Sequence, residues 1–112
     1  LLVATLGASC ATDADAVEDT IKDFFNAYND GEYGECVTYL TNVDDEFALI
    51  ALLADRRATE GDVVVDSIQN INITGATATA SVTLMYAGKT EVDEMRLVKR
   101  NGGWKIDLVG RS

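Results

Sequence analysis

Histidine is absent from the 112-residue chain, and with it go the commonest general base near neutral pH and the commonest nitrogen ligand for metals. A Ser/His/Asp triad and a His-containing zinc site are therefore excluded. Proline is absent too, so no helix is broken and no strand ladder loses a donor on that account. There are two cysteines, Cys10 and Cys36, without the CxxC spacing of a metal knuckle or a thioredoxin-like motif. A bridge between them requires Cys10 to keep a free thiol. No run approaches the roughly 20 apolar residues of a membrane-spanning helix. Basic residues are scarce: nine face nineteen acidic ones, for a formal charge of -10. A nucleic acid would meet repulsion with no basic stripe to offset it. No catalytic residue, metal site or cofactor is assigned from the sequence.

What is present is enough for one modest core, since a chain of this length with 47% hydrophobic residues does not usually split into two domains. The first ten residues run Leu1-Leu2-Val3-Ala4-Thr5-Leu6-Gly7-Ala8-Ser9-Cys10. An apolar stretch ending in small residues is what a signal peptidase accepts, so residues 1–10 read as the C-terminal part of an export signal. Leu6-Gly7-Ala8-Ser9-Cys10 resembles a lipobox, although Gly7 stands where that pattern prefers a leucine-like residue. The resemblance implies lipidation of Cys10 and an extracytoplasmic domain held at the cell membrane surface by a lipid anchor. Residues 11–14 read as a polar tether and 15–112 as the folded domain.

In that domain Val17, Ile21, Phe24, Phe25 and Tyr28 recur at three- and four-residue steps, which predicts a helix of about four turns with Asp13 or Asp15 as its cap. Asn29-Asp30-Gly31 stops it. A second short helix is expected from Tyr33 to Leu40. Asp44-Asp45-Glu46 lacks the loop a calcium site needs and reads as the cap of a third helix, whose stripe is Phe47, Ile50, Ala51 and Ala54. The period then changes to two. Val63 to Ile73 is rich in β-branched residues, and Ala76, Ala78, Ala80, Val82, Leu84 and Tyr86 alternate with polar neighbours. Thr90 to Arg100 and Trp104-Lys105-Ile106-Asp107-Leu108 come next, across turns at Ala87-Gly88 and Asn101-Gly102-Gly103. The fold class is α+β: three N-terminal helices on a curved four-stranded antiparallel meander.

That order, with the opening Ile21-Lys22-Asp23-Phe24-Phe25-Asn26-Ala27-Tyr28-Asn29-Asp30-Gly31-Glu32-Tyr33 and the tail Met95-Arg96-Leu97-Val98-Lys99-Arg100-Asn101-Gly102-Gly103-Trp104-Lys105-Ile106, resembles the nuclear transport factor 2-like superfamily, a cystatin-like fold. The resemblance covers roughly residues 15 to 110. It implies a cone with a pocket between sheet and helices. Members include isomerases, dehydratases, protein-binding adaptors and many small exported lipoproteins, so fold does not select function.

Two readings stay open. In the first the chain is a lipid-anchored, non-catalytic domain that binds a small apolar ligand or a protein partner. In the second it is a small pocket enzyme of the isomerase or dehydratase kind. Met95 and Leu97 make one side of their strand the inward one, and Asp93 shares it. Desolvation there would raise the pKa of Asp93 and fit it to act as a base, as an Asp does in the isomerases this fold resembles. Tyr28 and Tyr86 would supply hydroxyl donors and Trp104 an apolar wall. The alternative for these residues is structural, with Asp93 at the rim beside Arg96 or Lys99 and the aromatics as core. The superfamily often pairs through the outer face of its sheet, where Val64, Ile68, Val92 and Val98 are expected, so a homodimer is a third possibility.

Overall fold

The structure, a computed structural model, describes residues 12–108. Cys10, the rest of the export segment and Ala11 of the tether lie outside the described residues. Helix α1 (Asp13–Asn29) begins inside the segment expected to be a tether, because Thr12 caps it: the Thr12 hydroxyl accepts from the Asp15 amide at 3.2 Å, and the Asp15 carboxylate accepts from the Thr12 amide at 3.4 Å. The cap is thus Thr12, with Asp15 completing a reciprocal capping box. At the other end Gly31 takes a φ of 77°. Its amide donates to the Tyr28 carbonyl and the Glu32 amide to that of Ala27, closing the helix in a Schellman arrangement that needs a residue free of Cβ strain.

Helix α2 (Tyr33–Thr38) is shorter than expected, since Leu40 leaves it for a two-residue strand β1 (Leu40–Thr41). Helix α3 (Glu46–Glu60) is capped by Asp45, whose carboxylate accepts from the Ala48 amide at 3.1 Å. The acidic run is a cap, and no cluster of metal-ligating side chains occurs among the described residues. Of the stripe expected on α3, Ile50 and Ala54 are half-buried, but the other two residues are not. Phe47 is 86% exposed and Ala51 is exposed, while Leu49 and Leu53 are the residues turned to the core. Phe47-Ala48-Leu49-Ile50-Ala51-Leu52-Leu53 is apolar at every position, so several helical stripes fit it equally and periodicity cannot choose between them. No residue of α3 is fully buried.

Four antiparallel strands complete the domain, β2 (Val64–Thr74), β3 (Thr77–Tyr86), β4 (Lys89–Arg100) and β5 (Gly103–Asp107). The expected meander gains β1, which pairs in parallel with β5, giving the order β1-β5-β4-β3-β2. Asn101 and Gly102, with φ of 53° and 83°, make the two-residue turn whose twist suits a hairpin. Strand β2 carries register shifts between Val65 and Ser67 and between Gln69 and Asn72. Each extra residue reverses the facing of the residues after it, so Val65, Ile68 and Ile73 sit opposite the inward Leu84, Val82 and Ala78. Ile68, expected on the outer face, is therefore an inner residue. The exposed apolar positions of the outer face are Val64, Met85 and Val92.

The core is continuous at one end of the sheet. Val17 and Ile21 of α1, Ala80 and Val82 of β3, and Leu97 of β4 have no exposed surface, and Met95, Trp104 and Ile106 have almost none. Trp104 packs beside the N-terminal half of α1: its indole N–H donates to Asp13, and its carbonyl accepts from the Thr20 hydroxyl at 3.2 Å. That is the opposite end of α1 from Phe24, Phe25 and Tyr28.

Candidate functional site

The other end of the sheet is open. Alongside the C-terminal half of α1, α3 lies over the gap without sealing it, leaving a cleft of about 370 Å³. Its floor is Phe24, Phe25 and Tyr28 of α1 with Leu84 of β3. Leu40 and Leu108 line it from the β1–β5 edge of the sheet and Val63 from the β2 edge, and Leu49, Leu52 and Leu53 come from α3. This volume lies within the range of small-molecule sites, which are apolar inside with a few polar groups at the edge. Asn29 holds the cleft in shape. Its amide nitrogen donates to the Val63 carbonyl and its amide oxygen accepts from the Val63 amide, both at 2.8 Å, so the end of α1 is fixed to the entry of β2.

The polar groups of the cleft come from α3 and the hairpin β3–β4. Arg56 and Glu60 of α3 form an i,i+4 ion pair at 3.2 Å. Across from them, Glu91 and Asp93 stand opposite Leu84 and Val82 in the β3–β4 register, on the inward row that Met95 and Leu97 continue into the core. The Tyr86 hydroxyl donates to the Glu91 carboxylate, and that bond raises the phenol above its ordinary pKa. Burial does the same for Tyr28. Both phenols therefore stay protonated at neutral pH and act as hydrogen-bond donors rather than bases.

Of the residues singled out from sequence, Tyr28, Tyr86 and Asp93 line this one cleft, and Trp104 does not. Asp93 is half-buried. Of the two cations expected beside it, Arg96 reaches Asp107 at 3.3 Å and Lys99 reaches Asp13 at 3.2 Å. Cys36 is buried, with its thiol pushed up to about 11 by desolvation, which makes it a packing residue and not a nucleophile. Sequence reasoning missed Leu49, Leu52, Leu53, Arg56 and Glu60. Their only signal was the spacing of Leu49, Leu53, Arg56 and Glu60 at three and four residues, hidden within a helix that is apolar nearly all round for two turns.

A long first helix, two shorter ones and a twisted sheet enclosing a cleft at one end define a nuclear transport factor 2-like domain. Residues 38–107 match the family described as "Putative lumazine-binding", and the chain belongs to that family. Among solved structures it is similar to one described as "Putative NTF2-like transpeptidase" from Campylobacter jejuni, with a TM-score of 0.59 at 18% identity, over 81% of this chain and 96% of that one. Such a likeness establishes a common fold. Among curated protein sequences none matches.

Proposed function

We propose that the protein is an exported, lipid-anchored, non-catalytic domain that binds a small, largely apolar molecule in the cleft between α1, α3 and the sheet. The observation that carries this reading is the cleft itself. A core that is closed at Trp104 opens at Phe24 and Leu84 into a space walled by leucines, with its polar groups gathered at the rim. The family description, which speaks of binding lumazine, supports a small-ligand role for the same part of the chain.

The neutral fluorophore N-phenyl-1-naphthylamine tests the binding role. Saturable binding with amide shifts centred on Phe24, Leu53 and Leu84 is expected; absent binding, or shifts scattered over the surface, would remove the reading. The anchor rests on Cys10 and is tested separately by mass spectrometry of the native membrane fraction, where an unmodified Cys10 would leave the cleft without its tether. Pairing of two copies through Val64, Met85 and Val92 belongs to the same proposal. Light scattering that reports a monomer at high concentration and physiological salt would end it.

One observation favours the enzymatic alternative: Asp93, Tyr28 and Tyr86 line a single cleft, as a carboxylate base with two hydroxyl donors requires. Its test is solvent deuterium exchange into small enolisable ketones. Exchange abolished by Asp93→Asn would establish it, and absence of exchange would dismiss it.

A further inference from the structure

Among the described residues two uncharged polar side chains line the cleft, Tyr28 and Tyr86, and they differ in depth and in partners. Tyr86 is half-buried, and its hydroxyl donates to the Glu91 carboxylate. Tyr28 follows Phe24 by one turn of α1 and is only 5% exposed. Its ring is held edge-on to that of Tyr33, with centroids 6.2 Å apart. Its hydroxyl has no hydrogen-bond partner among the described residues, whereas every side-chain nitrogen or oxygen sealed from solvent there has one. The Tyr28 oxygen is therefore not sealed: the small accessible part of the residue includes it, and the space that the residue lines is the cleft. Arg56 and Glu60, whose charges act on this phenol from α3, line the same cleft and are paired with each other at 3.2 Å.

An apolar ligand that fills the cleft excludes water from this hydroxyl and leaves it unbonded, at the desolvation cost of a buried donor. A ligand that carries an acceptor oxygen at the same depth avoids that cost. Burial raises the pKa of Tyr28, so the phenol keeps a proton to give. A carbonyl takes it more readily than a carboxylate, which would have to shed the hydration of a full charge to reach so buried a residue.

We infer that the occupant of the cleft is a neutral molecule with an apolar or aromatic body and a carbonyl oxygen, which accepts a hydrogen bond from the Tyr28 hydroxyl while the body lies against Phe24, Leu53 and Leu84. This rests on the ligand-binding reading above and adds the class of ligand and the residue that selects it.

Two probes of one outline test the selection, 2-acetonaphthone and 2-isopropenylnaphthalene, in which a methylene group replaces the carbonyl oxygen. Each is titrated against N-phenyl-1-naphthylamine bound to the full chain. Tyr28→Phe should weaken the ketone about fivefold or more and should not weaken the alkene. A thermal midpoint equal to the parent's is expected, since the hydroxyl bonds to no described residue, and would show that the fold is intact. The infrared carbonyl stretch of the bound ketone should lie at lower wavenumber in the parent than in Tyr28→Phe, a signature that a purely structural role for Tyr28 would not produce. Equal effects of Tyr28→Phe on both probes, or a ketone that responds to Tyr86→Phe and not to Tyr28→Phe, would overturn the assignment and keep the cleft as a binding site. No binding of N-phenyl-1-naphthylamine or of either probe would overturn both.

Discussion

The two ends of the sheet use similar side chains to opposite effect. At the closed end Val17, Ile21, Met95, Leu97, Trp104 and Ile106 fill the space between α1 and the strands. At the open end the fifteen-residue helix α3 buries none of its residues fully and leaves Phe47 and Leu52 at 86% and 53% exposure. The difference lies in the partner. At the closed end α1 meets the concave face directly, whereas α3 meets it across the cleft, through Leu49 and Leu53. One end of the cone holds the fold together, and the other holds the open cleft in which the proposed ligand would sit. The division makes stability and binding separable by mutation.

The sharpest test is Trp104→Ala. Removing the largest side chain of the closed end should cost about 3–5 kcal/mol, a large share of what a small domain has. Ligand addition should leave the fluorescence of this single tryptophan unchanged, because it lies outside the cleft. An unaltered thermal midpoint in the variant, or a fluorescence response to a bound probe, would erase the boundary between the two ends.

Asn29→Ala comes next. It removes two hydrogen bonds to the Val63 backbone and leaves those half-buried groups without their partner, at a cost of about 2 kcal/mol. Since Asn29 fixes the mouth, the variant should also weaken binding of N-phenyl-1-naphthylamine; a loss of stability with undiminished affinity would show that the cleft keeps its shape without this tie. Leu53→Ala should be milder on the fold, about 1 kcal/mol from a partly buried side chain, yet should weaken the same probe severalfold. A melting shift as large as that of Trp104→Ala would place α3 in the core.

How far the sequence foretells this division depends on pattern strength. Strand β3 was legible residue by residue, because its alternation of Ala78, Ala80, Val82 and Leu84 with Thr and Ser is strict. The same was true of Met95 and Leu97, and of the burial of Trp104, Ile106 and Val17. Strand β2 was legible only as a strand: the extra residue between Val65 and Ser67 resets the facing of Ile68, the one between Gln69 and Asn72 resets that of Ile73, and an inserted residue leaves no mark in composition. Strand β1 is two residues long and exists only by pairing with β5, a long-range event with no local signal. The cleft was half legible. Tyr28, Tyr86 and Asp93 come from the faces of α1, β3 and β4, but the α3 wall depends on how a uniformly apolar helix is rotated, and that is decided by what it packs on.

The smallest expected effect belongs to Asp13, at the edge of the closed end. Its carboxylate accepts from the Lys99 ammonium at 3.2 Å and from the Trp104 indole at 3.3 Å, and these bonds, the lysine's foremost, hold its pKa below the usual carboxylate value of 3.8. A depressed carboxyl stabilises the folded state while it is ionised, so its contribution is complete above about pH 4 and is lost as the pH falls through the depressed value. Asp13 is 44% exposed and Lys99 38%, which leaves the pair open to solvent and salt and keeps the effect small. Asn at this position would still accept from the indole but could not pair with Lys99. The urea midpoint of Asp13→Asn should therefore lie slightly below the parent's at pH 7, and the two should converge as the pH is lowered below about 4. Raising the salt should narrow the gap at pH 7. A gap that persists unchanged to low pH would mean that Asp13 acts at the helix start through its hydrogen bonds alone and that Lys99 contributes nothing.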